Sequence, residues 1–293
     1  MANEIDLITK HLPLLDEEYK YASLTSVLDA PASFILPTSE ANVVKIPKIT
    51  LQGLGTYSRN TGYASGDADL EWETHTFSND RGRKFTVDKM DDQETANIAF
   101  GMLAGEFMRM KVAPEFDAYR LAKYAANAIT NSNAATAALA AGADVLAALR
   151  VASNAMDEAE VPEEGRILFI TPTLDGMISD LDTTKSREVM SRFSRKIRVP
   201  QTRFYTAITQ YDGTTPSQED GGYIKNGDTG KNQNFLVVHP SSVLQITKHT
   251  VTKVISPEMN QTSDAWMYFF RAYHDAFVYE NKVKGLYCHY AAS

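Results

Sequence analysis

The spacing of apolar residues changes period several times along the chain, and each change marks an element. Ala96, Phe100, Leu103, Phe107 and Met110 recur at intervals of four, three, four and three, one stripe of an amphipathic helix. Asp91 with Glu94 three residues on resembles a capping box, so the helix is predicted to start there. Pro114 is predicted to break or kink it, with helix resuming over 115–129. Val145, Leu149, Ala152 and Met156 form a second stripe, predicting a helix over 144–160. The apolar run ILFI at 167–170 follows the turn VPEEGR and reads as a buried strand. Thr171 then caps a further helix with Pro172 in its first position.

Elsewhere the pattern is that of strands. Residues 43–51 alternate weakly, and 53–67 are rich in Gly, Ser and Asn, as a loop is. Residues 69–78 and 83–90 read as two strands joined by the turn sequence NDRG at 79–82. On the first of these, Leu70, Trp72, Thr74 and Thr76 share one face, and Glu71, Glu73, His75 and Phe77 the other. Strands are also predicted at FLVVHP and SVLQITKHTVTKVI. From Trp266 to Tyr279 apolar positions fall on both faces, which predicts a long strand covered on both sides. Residues 211–232 carry almost pure loop chemistry and predict an exposed excursion. Residues 1–36 hold short apolar clusters split by Pro13 and Pro31, an arm that docks on another surface.

The chain has 293 residues with a hydrophobic fraction of 43%, enough for a sizeable core, and two lobes are expected. A net charge of -8 argues against a general nucleic-acid binder. One cysteine, Cys288, excludes an internal disulfide and a multi-cysteine metal site; a buried apolar role is expected for it. The opening Met-Ala-Asn-Glu-Ile-Asp lacks the basic and apolar regions of a secretory signal, and no apolar run approaches the roughly 18 residues of a membrane span.

Catalytic signatures are sparse. The six histidines include no HExxH and no pair at helical metal spacing, and surface or interface positions are expected for them. His274 and Asp275 are neighbours on a strand and point to opposite faces, which opposes an acid–base pair. There is no phosphate-binding GxxxxGK[ST] and no third glycine after Gly53 and Gly55. No catalytic residue, cofactor site or metal site is assigned.

Two charged runs are candidate interfaces. Asp67, Asp69, Glu71 and Glu73 lie on the predicted hairpin opposite Arg81, Arg83 and Lys84; they read as cross-strand pairs or as a projecting finger that meets another subunit. Arg187, Arg192, Arg195 and Arg198, with Lys185 and Lys196, form the densest basic run. It is either a solvated helix face or a contact. For a contact, the lack of interleaved aromatics favours an acidic protein patch over DNA.

The segments KIPKITLQGLGTYSRNTGY, EWETHTFSNDRGRKFTVDKMD, EFMRMKVAPEFDAYRLAKYA and PEMNQTSDAWMYFFRAYHDAFVYENKVKGLYCHY, in that order, resemble the major capsid protein of tailed double-stranded DNA phages. The resemblance covers most of the chain. It implies an α+β, Hong Kong 97-like capsid fold. Residues 1–43 would be an N-arm, 44–90 an extended E-loop hairpin, 91–134 and 247–281 a peripheral domain with a long spine helix, and 135–246 and 282–293 an α/β axial domain. It also implies hexamers and pentamers closing an icosahedral head around double-stranded DNA without sequence-specific binding, in the virion, assembled in the host bacterial cytoplasm. Scaffolding and portal proteins would be partners; the arm starts so early that a separate scaffold is expected. No cofactor and no membrane are implied. An α/β hydrolase-like enzyme and a neck or tail virion protein are the competing readings, and a Ser-His-Asp constellation would distinguish the first.

Overall fold

A computed structural model of the chain describes residues 23–30, 43–94, 98–181 and 183–292. The apolar clusters expected in the arm, and Ala96 of the first stripe, lie outside the described residues.

The expected hairpin forms from different strands. β1 (Val43–Leu51) pairs antiparallel with β2 (Ala68–Thr76), from Val43 opposite Thr76 to Leu51 opposite Ala68. β3 (Asn79–Asp88) leaves the hairpin and pairs with the longest strand among the described residues, β11 (Ala265–Val278), nearly 200 residues later. The predicted turn at 79–82 is therefore corrected: these residues begin β3. Their polar side chains take cross-strand and helix partners instead. Asn79 bonds the His274 ring, Asp80 holds Arg271 and Arg81 holds Glu115. Gly82 is there for a close approach, because a Cβ on it would lie 2.8 Å from the carbonyl oxygen of Phe270.

β11 also pairs with β10 (Val243–Ile255), giving a three-stranded antiparallel sheet in the order β10-β11-β3. A long helical run covers one face of this sheet. It begins with α1 (Lys89–Glu94), entered through Asp88, whose carboxylate accepts the Met90 N–H at 2.9 Å. The start is thus two residues earlier than the capping box predicted, and Asp91 lies inside the helix. α2 (Ile98–Phe107) follows, then a π-helical turn (Met108–Val112), then α3 (Ala113–Thr130). Pro114 does not break the run. A proline removes one helical donor and crowds the carbonyl four residues back; the wider π turn relieves that crowding, and Pro114 sits in the first turn of α3. Leu103 and Phe107 pack on Tyr268, Phe270 and Phe85, as the stripe predicts.

The second lobe is a five-stranded sheet in the order β4-β12-β9-β5-β6. Its strands are β4 (Ala134–Thr136), β5 (Ile167–Ile170), β6 (Arg195–Arg198), β9 (Gln233–Val238) and β12 (Leu286–Tyr290). α3 lies on one face, where Leu121, Tyr124 and Ala128 meet Phe169, Leu236 and Cys288. α4 (Gly142–Glu158), α5 (Pro172–Leu181) and α6 (Thr184–Ser191) cover the other, with Val145, Leu149, Ala152 and Met156 buried against Leu168, Ile170 and Val237. The buried strand ILFI and both helices around it are where the sequence pattern puts them. α3 therefore belongs to both lobes and is the axis that joins them.

A short clasp ties the N-terminal side to this axis. Asp117 of α3, fully buried, accepts from the Ser23 and Thr25 hydroxyls, from the Leu24 and Thr25 N–H groups and from Arg203, at 2.8–3.1 Å. A buried carboxylate is tolerable only with such a complement of donors.

Candidate assembly surfaces

The β1–β2 hairpin stands away from the body, and its two faces differ. Ile49, Leu51, Leu70 and Trp72 share one face and are 57–70% exposed, an apolar surface with no cover in the monomer. The loop at its tip, residues 52–67, presents Leu54, Tyr57 and Tyr63; the two tyrosine rings meet edge to face at 5.0 Å, across a turn that closes at Gly62. Exposed apolar groups on one projecting element mark a contact surface rather than a core.

The hairpin is latched at its root. Glu73 is buried, and its carboxylate oxygens accept the backbone N–H of Glu280 at 3.2 and 3.3 Å. His75 pairs with Glu73 and stacks on Phe277, and Lys48 holds Glu280 at 2.6 Å. The Lys48 hydrogen bond lowers the Glu280 pKa below the ordinary carboxylate value.

The acidic run and its expected partners thus separate. Asp67 and Asp69 are exposed near the tip, Glu71 lies opposite Lys48, and Glu73 belongs to the root. None faces Arg81, Arg83 or Lys84, which lie on β3 in the other sheet. Lys84 is exposed, with Phe269 as its cross-strand neighbour. Arg81 and Arg83 form a brace between the lobes. Arg81 pairs with Glu115 and donates to the carbonyls of Tyr211 and Gly222, and Arg83 donates to the carbonyl of Glu219. Gly213 and Gly221 both have positive φ, and a Cβ on Gly213 would lie 2.7 Å from the Arg83 guanidinium. The excursion expected at 211–232 is exposed over much of its length but is anchored: it includes β8 (Tyr223–Lys225), which pairs with β7 (Ile208–Gln210), and Arg81 and Arg83 pin it to β3. Within it Asp212 accepts from the Thr215 hydroxyl and from two backbone N–H groups, which lowers its pKa to about 2.

The basic run is divided between α6 and β6, an edge strand. Lys196 and Arg198 both grip Asp175, a buried carboxylate on α5, at 2.7 and 2.6 Å, and Arg192 lies 3.6 Å from Asp157. These three cations have work inside the subunit. Arg195 is exposed, and among the described residues nothing pairs with it. Arg187 and Lys185 lie on α6.

Two histidines correct the surface expectation. His289 is buried beside Phe235, and His274 is buried with its ring 3.7 Å from Phe116. Asn79 donates to the His274 Nε2, and burial lowers its pKa to about 3, with Arg120 adding to the effect. Asp275, its neighbour in sequence, faces away and accepts from Ser78 and Tyr119, as the strand alternation requires. A Ser–His pair does occur, His239 Nδ1 to Ser241 Oγ at 2.7 Å. It caps the 3-10 turn Pro240–Ser242, and the other ring nitrogen meets the backbone carbonyl of Glu164 rather than an acid. Cys288 is fully buried, and burial raises its thiol pKa. No helix among the described residues is long and apolar enough to cross a membrane.

The architecture is that of a phage capsid fold. A solved chain from Mycobacterium phage Che8 superposes with a TM-score of 0.64 at 15% identity, covering 97% of each chain. A chain of the capsid structure of the cyanophage P-SCSP1u gives 0.62 at 14%, covering 98% of this chain and 94% of its own. One from the asymmetric unit of the bacteriophage PhiM1 mature capsid gives 0.66 at 11%, covering 98% and 92%. The expected α+β capsid fold is thereby shown. No family model matches the chain, and no curated protein matches its sequence.

Proposed function

We propose that this chain is the major capsid protein of a tailed phage, a structural subunit that assembles into hexamers and pentamers of an icosahedral head enclosing double-stranded DNA. The observation that carries this reading is the near full-length match, in both directions, to solved phage capsid chains, and this chain's projecting hairpin with uncovered apolar residues agrees with it. In this reading the β1–β2 hairpin is the extended loop and contacts a neighbouring subunit. β3, β10, β11 and the helical run from α1 to α3 are the peripheral domain. The five-stranded sheet with α4, α5 and α6 is the axial domain near the capsomer axis. The reading also includes scaffolding and portal partners, assembly in the bacterial cytoplasm and residence in the virion. Summing many modest contacts over a closed lattice suits a subunit whose exposed apolar surface is divided among extensions.

Electron microscopy of the expressed protein tests it. Shells, or hexameric and pentameric capsomers, are expected. Discrete small oligomers that never close, with or without a scaffold, would overturn the proposal.

A further inference from the structure

The sheet β10-β11-β3 carries the helical run on one face only. Tyr268, Phe270 and Ala272 point into that helix-covered side. The alternate residues point to the other side. The registers set them in rows across the three strands: Ile255, Met267 and Thr86, then Lys253, Phe269 and Lys84, then Val251, Arg271 and Gly82. Val251, Ile255, Met267 and Phe269 are half-buried and join none of the apolar cores among the described residues. A groove of about 610 Å³ runs over these rows, and Gly82 leaves a gap in it where a side chain would otherwise stand.

The charge of this groove is one-sided. Its single acid, Asp80, is held by Arg271 through two hydrogen bonds of 2.9 and 2.5 Å. Lys84 and Lys253 are exposed and pair with no carboxylate among the described residues. They stand directly on either side of Phe269, one from each edge strand, in a chain whose net charge is -8. A half-buried apolar row between two uncompensated cations selects an occupant that is apolar along its middle and acidic along its sides. Neighbouring strands lie about 4.8 Å apart, so β3 and β10 are about 10 Å apart. A helix with its side chains is about 10–12 Å across, so one seated on Phe269 reaches both lysines. Duplex DNA fits less well, because its phosphates would meet the lysines and leave Phe269 and Met267 uncovered.

We propose that this open sheet face is the docking site for an acidic amphipathic helix of another protein, with its apolar stripe on Val251, Met267 and Phe269 and its flanking carboxylates on Lys84 and Lys253. The sheet is then covered on both faces, as sheets in layered domains are. The groove lies within one subunit, so docking there does not depend on the capsid reading.

Fluorescence anisotropy with the full chain tests this with three labelled probes: a synthetic helical peptide whose leucine stripe is flanked by glutamates, the same peptide with lysine for each glutamate, and a short DNA duplex. The glutamate peptide should bind and the lysine peptide should not. Lys84→Glu with Lys253→Glu should weaken the glutamate peptide by about tenfold. Circular dichroism should be unchanged in that variant, because both side chains are exposed. Arg195→Glu, an exposed charge reversal on β6, should leave peptide binding as it is. A glutamate peptide that does not bind, equal binding of the two peptides, or an equal loss in Arg195→Glu would overturn the site. So would a duplex that displaces the peptide from the unsubstituted chain, since the face would then be a DNA contact. None of these outcomes bears on shell formation, which electron microscopy reads separately.

Discussion

The carboxylate of Glu73, on a strand of the projecting hairpin, accepts the backbone N–H of Glu280, more than 200 residues away, through both oxygens. With the Lys48–Glu280 pair, this contact joins the root of the hairpin to the 3-10 turn Glu280–Gly285 that precedes β12. Glu73→Ala leaves a partly buried donor without its acceptor, a loss of about 1–3 kcal/mol. The expected outcome is faster hydrogen exchange throughout Val43–Thr76 with the five-stranded sheet unaffected. Glu73→Gln keeps an acceptor oxygen and should restore most of the protection. By contrast Glu71→Lys, at an exposed position, should leave the subunit folded and act only on assembly, read by light scattering.

Arg83→Ala removes the guanidinium from between two glycines of the 211–222 segment. Limited proteolysis should then cut that segment faster, while the thermal midpoint of the whole subunit changes little. Gly213→Ala should do the same by a different route, since it combines positive φ with a 2.7 Å clash against Arg83. Equal protease resistance in all three proteins would show that the brace does not hold the segment.

Phe107 touches Phe85, Tyr268 and Phe270 but keeps some exposure. A fully buried Phe→Ala change loses about 3–5 kcal/mol, so Phe107→Ala should fall at or below the low end, about 2–3 kcal/mol. Urea unfolding at constant slope measures it. An unchanged midpoint would mean that the ring serves only an assembly contact.

His274 gives the subunit an acid sensitivity with a defined sign. Its folded pKa is about 3, below the ordinary value of 6.5, because burial disfavours the imidazolium beside Arg120 and Arg81. Asp275 lies next in the chain but is turned toward Ser78, Tyr119 and Lys123. Below pH 6.5 the unfolded chain binds a proton that the folded one refuses. The contribution is fully present above that pH and is lost progressively as pH falls toward 3. At pH 5 the deficit is about 2 kcal/mol. Comparing urea midpoints at pH 7.5 and pH 5, the wild type should lose about that much more than His274→Asn. Equal losses would contradict the assignment.

Sequence pattern revealed the elements whose signals are local. The four-residue spacing from Val145 to Met156 and the run ILFI needed no distant partner to be read. β3 was harder, because Asn79 to Gly82 carry turn chemistry and only the approach of β11, far along the chain, converts them to a strand. The same distance hid the roles of Arg81, Arg83 and Glu73: charge density placed them on one hairpin, while their partners come from Glu115, the 211–222 segment and Glu280. Lys196 and Arg198 looked like free surface charge because Asp175, their shared partner, is on a separate element. The buried histidines gave no signal at all, since a neutral imidazole needs only a neighbouring donor such as Asn79.

Gly82 also bears on the fidelity of folding. It is the one residue of β3 whose missing side chain lets that strand pass the Phe270 carbonyl. Sliding β3 by two residues would bring Asp80 or Lys84 to that crossing, each with a Cβ that does not fit, and sliding by one would turn Phe85 and Val87 to the wrong face. The sheet therefore has a single admissible alignment. On the capsid reading, one fixed alignment would give every copy of the chain the same surfaces to present to its neighbours. A glycine at this crossing thus ties the alignment of the sheet to a single position in the sequence.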